Sequence, residues 1–147
     1  MSNRMTRVLV ADGDREARQG AAFVLRRAGC SVVACPGAMS LVRAMDAHER
    51  GSPGGRLSVL VIASPLPQAG GIAELARLGV FALGVPVIVT LRALDRSVER
   101  GAIAAGATLV STAGTDTTAS AVRHVIEQER RWGGEWISTG LLERLTS

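Results

Sequence analysis

The chain has 147 residues, 47% of them hydrophobic and 20% charged, enough for one domain with a real core and too apolar for a disordered chain. All 17 basic residues are arginine, against 13 acidic ones, and tyrosine is absent. The only basic doublets are Arg26-Arg27 and Arg130-Arg131, which argues against a clustered, ring-lined nucleic-acid groove. No apolar run reaches the length of a membrane span and the first residues carry no signal-peptide pattern, so a cytoplasmic protein is expected.

Strand and helix patterns alternate along the chain. Residues 7–11 form a short apolar strand. Residues 14–28 place Ala17, Ala21, Val24, Leu25 and Ala28 on one helical face, and Gly29 follows where a left-handed residue closes a helix. Residues 32–35 are the second strand, and residues 38–48 a helix with Leu41, Val42 and Met45 inward. A Gly- and Pro-rich loop at 50–55 leads to a third strand at 58–63.

Residues 71–81 read as one helix carrying Ile72, Leu75, Ala76 and Leu78. The fourth strand is expected at 86–90 and the fourth helix at 96–105, ending at Gly106. A weak fifth strand at 108–111 precedes a helix that starts near Asp116 and turns Val122, Val125 and Ile126 inward. This order predicts an α/β fold, a flavodoxin-like, doubly wound five-stranded parallel sheet of the (βα)5 kind. Solid apolar strands fit a sheet covered on both faces. Function in such folds lies at the carboxyl ends of the strands: residues 12–14, 63–65, 90–92 and 111–113.

Cys30 and Cys35 are five residues apart on strand geometry and point to opposite faces. With His48 and His124 distant in sequence, there is no zinc pattern, and two buried thiols are expected. No metal and no cofactor is expected. An enzyme or nucleotide binder on this fold would need a phosphate-cradling glycine loop or a nucleophile beside a base. Asp12-Gly13-Asp14 is no such loop, and His124 has no nucleophile nearby in sequence.

Three short motifs, in order and with matching gaps, resemble the receiver domain of bacterial response regulators over residues 6–128. Val8-Leu9-Val10-Ala11-Asp12-Gly13-Asp14 is similar to the family's first strand with its acidic pair. Leu66-Pro67 followed by Gly70-Gly71 is similar to the turn after the phosphoacceptor, and Ala105-Gly106-Ala107 to the segment before strand five. The resemblance implies a site with acidic residues for magnesium, a nucleophilic aspartate after strand three, a Thr or Ser after strand four and a Lys after strand five. A phosphoaspartate among acids needs a divalent cation and an ammonium to balance its charge.

This chain departs from that pattern at each position. Asp12 matches the first acid, Gly13 stands where the metal-contacting acid is expected, and Asp14 is adjacent. Ala63 replaces the nucleophile and offers no oxygen; Ser64 beside it points to the other side. Leu91 falls in the Thr/Ser slot, with Thr90 one residue early and facing the wrong way. Ala113 and Gly114 replace the Lys-Pro pair, and the chain has no lysine anywhere. Phosphoryl transfer is therefore not expected, and no catalytic residue is assigned. Two roles stay open for the acids: Asp14 as a helix cap with Asp12 a remnant, or a retained cation or ligand site.

Beyond residue 128, a linker-like segment at 129–147 is similar to the connection between receiver and helix-turn-helix domains in LuxR/NarL-type regulators. Trp132 and Trp136 flank Gly133-Gly134, and Ile137, Leu141, Leu142 and Leu145 form an amphipathic stripe. A terminal helix packed on its own domain explains the same stripe. The sequence-level reading is an atypical, phosphorylation-independent receiver (a pseudo-receiver of a two-component system) acting in signal transduction and transcription. Its expected partners are a second copy of itself, DNA only through a helix-turn-helix domain not in these residues, and no membrane. A small ligand in a pocket around Gly13, Ala63, Leu91 and Ala113 is a further expectation. A stand-alone interaction receiver and a flavodoxin-like small-molecule enzyme are the alternatives.

Overall fold

The central strands carry almost no polar side chain, and that decides the architecture. In the computed structural model, which describes residues 6–132, β1 (Arg7–Ala11), β2 (Ser31–Cys35), β3 (Val59–Ser64), β4 (Val87–Leu91) and β5 (Leu109–Thr112) form one parallel sheet in the order β2-β1-β3-β4-β5. This is the flavodoxin-like order. The helices are α1 (Arg15–Arg27), α2 (Ala38–Glu49), α3 (Ile72–Arg77), α4 (Arg96–Ala105) and α5 (Thr115–Trp132), with a short 3-10 turn at Val80–Ala82.

Alternation along the strands builds a core on each face. Val8, Val10, Val59, Val61 and Ile88 meet Ala21 and Leu25 of α1 and Ala121, Val122 and Val125 of α5. Leu9, Leu60, Ile62, Val87, Val89 and Leu91 face Leu41 and Met45 of α2, Leu75 of α3 and Ala102 of α4. The two cysteines divide between these layers as expected, Cys30 beside the first and Cys35 within the second, and both are free thiols. Burial pushes both thiols above their ordinary range; for Cys35 a hydrogen bond with Ser40 and the charge of Arg18 act the other way. Among the described residues, no helix is long and apolar enough to cross a membrane.

Several expectations need correction. Ala28 is the exposed C-cap residue of α1, and its place on the buried face is taken by Ala22. Val42 is 46% exposed. The inward stripe of α2 counts from Leu41 through Ala44, Met45 and His48, so Val42 falls outside it. The helix expected at 71–81 stops at Arg77, because Gly79 takes a left-handed φ of 89° and redirects the chain; Val80 then re-enters the core and Ala76 faces solvent. Strands three, four and five each lie one residue later than expected. Helix α5 runs through residue 128 to Trp132. Residues 133–147, with Trp136, Ile137, Leu141, Leu142 and Leu145, lie outside the described residues, as does the side chain of Trp132.

Two side chains tie loops and edges to this frame. The His48 ring accepts from Leu57 N–H at Nδ1 (3.0 Å), and its Nε2 lies 3.2 Å from the Leu83 carbonyl. The backbone donor at Nδ1 leaves the ring proton on Nε2, directed at that carbonyl. His48 is thus a fold residue, joining α2 to the strand that enters β3 and to the loop before β4. On the outer edge of the sheet, Arg26 Nη2 donates to the Val32 carbonyl at 3.3 Å. Replacing His48 with alanine leaves the Leu57 N–H without its partner. A loss of about 1–3 kcal/mol in stability is expected, measured by chemical denaturation; an unchanged midpoint would remove His48 from this role.

Candidate functional site

The carboxyl ends of β1, β3, β4 and β5 converge and bring Asp12, Ala63, Thr90 and Ala113 to one edge of the sheet. After β1, Asp12 is half-buried and its Oδ1 accepts the Asp14 N–H at 2.8 Å. Asp14 is extended and caps α1, its Oδ1 accepting from Glu16 N–H (3.0 Å) and Ala17 N–H (3.5 Å). Both acids therefore bond to local backbone. Arg18 donates from Nη1 to the Asp12 carbonyl at 2.8 Å, and Arg92 Nη2 stands 3.8 Å from Asp14 Oδ2.

The Pro67 ring stands against Gly13, the residue between the two acids in sequence. A Cβ built on Gly13 would lie 2.4 Å from Pro67 Cγ and 2.6 Å from its Cδ. The ring is fixed by its own loop. Leu66 and Gly70 exchange backbone hydrogen bonds of 2.9 Å in both directions, and the Pro67 carbonyl accepts the first N–H of α2, from Ala38, at 3.1 Å. The Ser64–Pro65 peptide that enters this loop is cis. Leu66-Pro67 is legible in the sequence as a turn signal, but its contact with Gly13 spans two loops and no local pattern carries it. The same holds for Arg18 and Arg92, which sequence reading did not place near the acids.

Register separates the residues that were expected to share one pocket. Ala63 pairs with Thr90, and Ser64 with Leu91, across β3 and β4. Thr90, only 3% exposed, lines a crevice with Asp12, Ala113, Gly114 and Thr118. The expectation that Thr90 faces the wrong way is corrected: counting alternate residues from Ile88 puts it on the α1 and α5 face, where Asp12 also points. Leu91 and Ser64 point to the opposite face and line a groove between α3 and α4. Ala63 and Gly13 line neither space, and a Cβ on exposed Gly13 would meet the Pro67 ring. The crevice at Asp12 has a volume of about 10 Å³, close to the room of a single water. Among the described residues, Ala113 lines the crevice at Asp12 and Leu91 the groove on the opposite face, so the two do not share one pocket. Among the described residues, no group of three or more His, Cys, Asp or Glu side chains is placed to hold a metal ion.

No family model matches the chain, and no curated protein matches it by sequence. Solved structures do match its fold. A CheY-like response regulator receiver domain from Methanospirillum hungatei is 15% identical, with a TM-score of 0.70, over 89% of this chain and 98% of that one. The receiver domain of Francisella response regulator 1452 is 18% identical, with a TM-score of 0.67, over 84% and 98%. FixJ-N is 24% identical, with a TM-score of 0.64, over 86% and 93%. The chain thus has the CheY-like receiver fold.

Two predictions follow from the packing and charge of this edge. Burial is the largest influence on the Asp12 carboxyl and pushes its pKa above the ordinary 3.8. The Asp14 N–H lowers it, the Asp14 charge raises it, and Arg92 and Arg18 lower it. A folded-state pKa above the unfolded one means that the native protein keeps the proton longer. Ionising Asp12 then costs stability as pH rises from 3.8 through the raised value. Asp12→Asn keeps an acceptor for the Asp14 N–H, so it is expected to melt higher than the parent at neutral pH. That advantage disappears below about pH 4; a lower melting temperature at neutral pH would contradict the assignment. Separately, Gly13→Ala is expected to cost about 1–3 kcal/mol through its overlap with Pro67. Most of that loss returns when Pro67→Ala is added, and a double-mutant cycle with no coupling would show that the ring is not the obstacle.

Proposed function

We propose that this chain is a phosphorylation-independent receiver domain that acts in signal transduction and transcription by assembling with partners, not as an enzyme. The observation that carries the reading is Ala63 at the end of β3. No side-chain oxygen stands where phosphorylation would occur, in a chain with no lysine to balance the product. The packing of Pro67 on Gly13 supports it, because the side chain of a second acid at position 13 would overlap the ring.

A second copy of the chain is the proposed first partner. Exposed apolar side chains suited to an interface are Leu94 and Ile103 (65% and 49% exposed), before and on α4, and Phe23 on α1 (61%). The role in transcription rests on the similarity of residues 129–147 to LuxR/NarL-type linkers; DNA would be bound by an attached helix-turn-helix domain and not by this one. A stand-alone interaction receiver remains the second reading, and both place the protein in the cytoplasm.

Two measurements test this. Light scattering over a dilution series is expected to show a dimer persisting to low micromolar concentration, with Ile103→Glu shifting it to monomer; a monomer throughout overturns assembly as the output. Amide NMR with magnesium and beryllofluoride is expected to leave residues 12–14, 63, 90 and 113 unmoved. A saturable shift there would restore a phosphorylation site and overturn the main claim.

A further inference from the structure

Gly101 has no structural reason to be glycine. It lies inside α4, where glycine weakens a helix relative to alanine. Its φ is not in the left-handed region, and a Cβ built there meets nothing within 4 Å. What it borders is a groove of about 440 Å³ between α3 and α4, on the sheet face opposite Asp12 and Thr90. That size falls in the range of small-ligand clefts, roughly 300–1,000 Å³. A side chain at 101 would narrow it.

The groove's chemistry selects an occupant. Ile72, Leu91 and Val98 supply apolar walls. Two polar groups at its edge are available. The Ser64 hydroxyl makes no hydrogen bond within the described residues. The Arg92 side chain is 81% exposed, its ion pair with Asp14 is 3.8 Å long, and a pair so exposed holds it weakly. Asp95, the one acid on the rim, is bound at Oδ1 to the N–H groups of Ser97 (2.9 Å) and Val98 (3.3 Å). Arg92 is the one cation among the residues lining the groove, and the Asp95 carboxylate is engaged by the first turn of α4. Leu91 and Ser64 end neighbouring strands, so an occupant would touch the carboxyl edge of β3 and β4 together.

We infer that the α3–α4 groove binds a small apolar molecule bearing one carboxylate. Its ring or chain lies on Ile72, Leu91 and Val98; its carboxylate meets Arg92, with the Ser64 hydroxyl donating a second hydrogen bond. The inference rests on the groove alone and stands apart from the assembly proposed above. It also differs from a ligand in the crevice at Asp12 and Thr90, which lies on the other face and has room for about one water.

The probe is naphthoate, with naphthalenemethanol as its neutral counterpart, followed by amide NMR on the full chain at millimolar ligand. Expected is a saturable shift at Ser64, Ile72, Leu91, Val98 and Gly101. Arg92→Gln weakens naphthoate about tenfold and leaves naphthalenemethanol unchanged. Gly101→Leu abolishes both, and Gly101→Ala, which melts no lower than the parent, reduces both and guards against a folding defect in the larger variant. The inference is overturned by the absence of a saturable shift, by shifts centred on Asp12 or Phe23 instead, or by undiminished binding to both Gly101 variants.

Discussion

Everything in this molecule depends on the double burial of β3 and β4. Val59, Val61 and Ile88 enter one core, while Leu60, Ile62, Val87 and Val89 enter the other, and all are at most 2% exposed. A strand with no solvated face has no free position for a polar side chain. Chemistry can appear only where the strands end, and the face a terminal residue serves is set by parity. Thr90 and Leu91 are neighbours in sequence, yet one joins Asp12 and the other the α3–α4 groove.

At that edge, the charges of the two acids meet local backbone donors and two arginines. A phosphorylated carboxylate beside Asp12 and Asp14 would concentrate negative charge at a half-buried spot. Here methyl-sized Ala63 stands near the end of β3, the acids bond to backbone N–H groups, and Arg18 and Arg92 are the nearby cations. Pro67 takes the volume between the loops. None of the fully buried side-chain nitrogen or oxygen atoms among the described residues lacks a hydrogen-bond partner.

The alternation of strands and helices, the two-faced core and the helix pattern of α1, α4 and α5 are legible in sequence because each rests on a strong period bounded by Gly or an Asp cap. Asp14 and Asp95 open α1 and α4, and Gly29 and Gly106 follow their ends. The third helix is misread because Ile72, Leu75 and Leu78 keep helical spacing up to a glycine whose left-handed backbone shows only in the structure. The site is legible as a set of positions but not as a space. Strand parity was counted from the motif for Thr90, and the register to Ala63 reverses it. Contacts between loops, such as Pro67 on Gly13, have no periodic signature at all.

The Arg26 guanidinium on the Val32 carbonyl has a consequence for how copies of this protein can meet. Strand β2 is an edge, and a carbonyl on its outer side is the natural acceptor for a strand from another chain. With a charged, branched side chain already donating there, sheet-to-sheet extension is disfavoured, and with it the route toward continuous fibres. On the β2 side, contacts between copies are left to helical surfaces, which give closed and finite complexes more readily than open ladders.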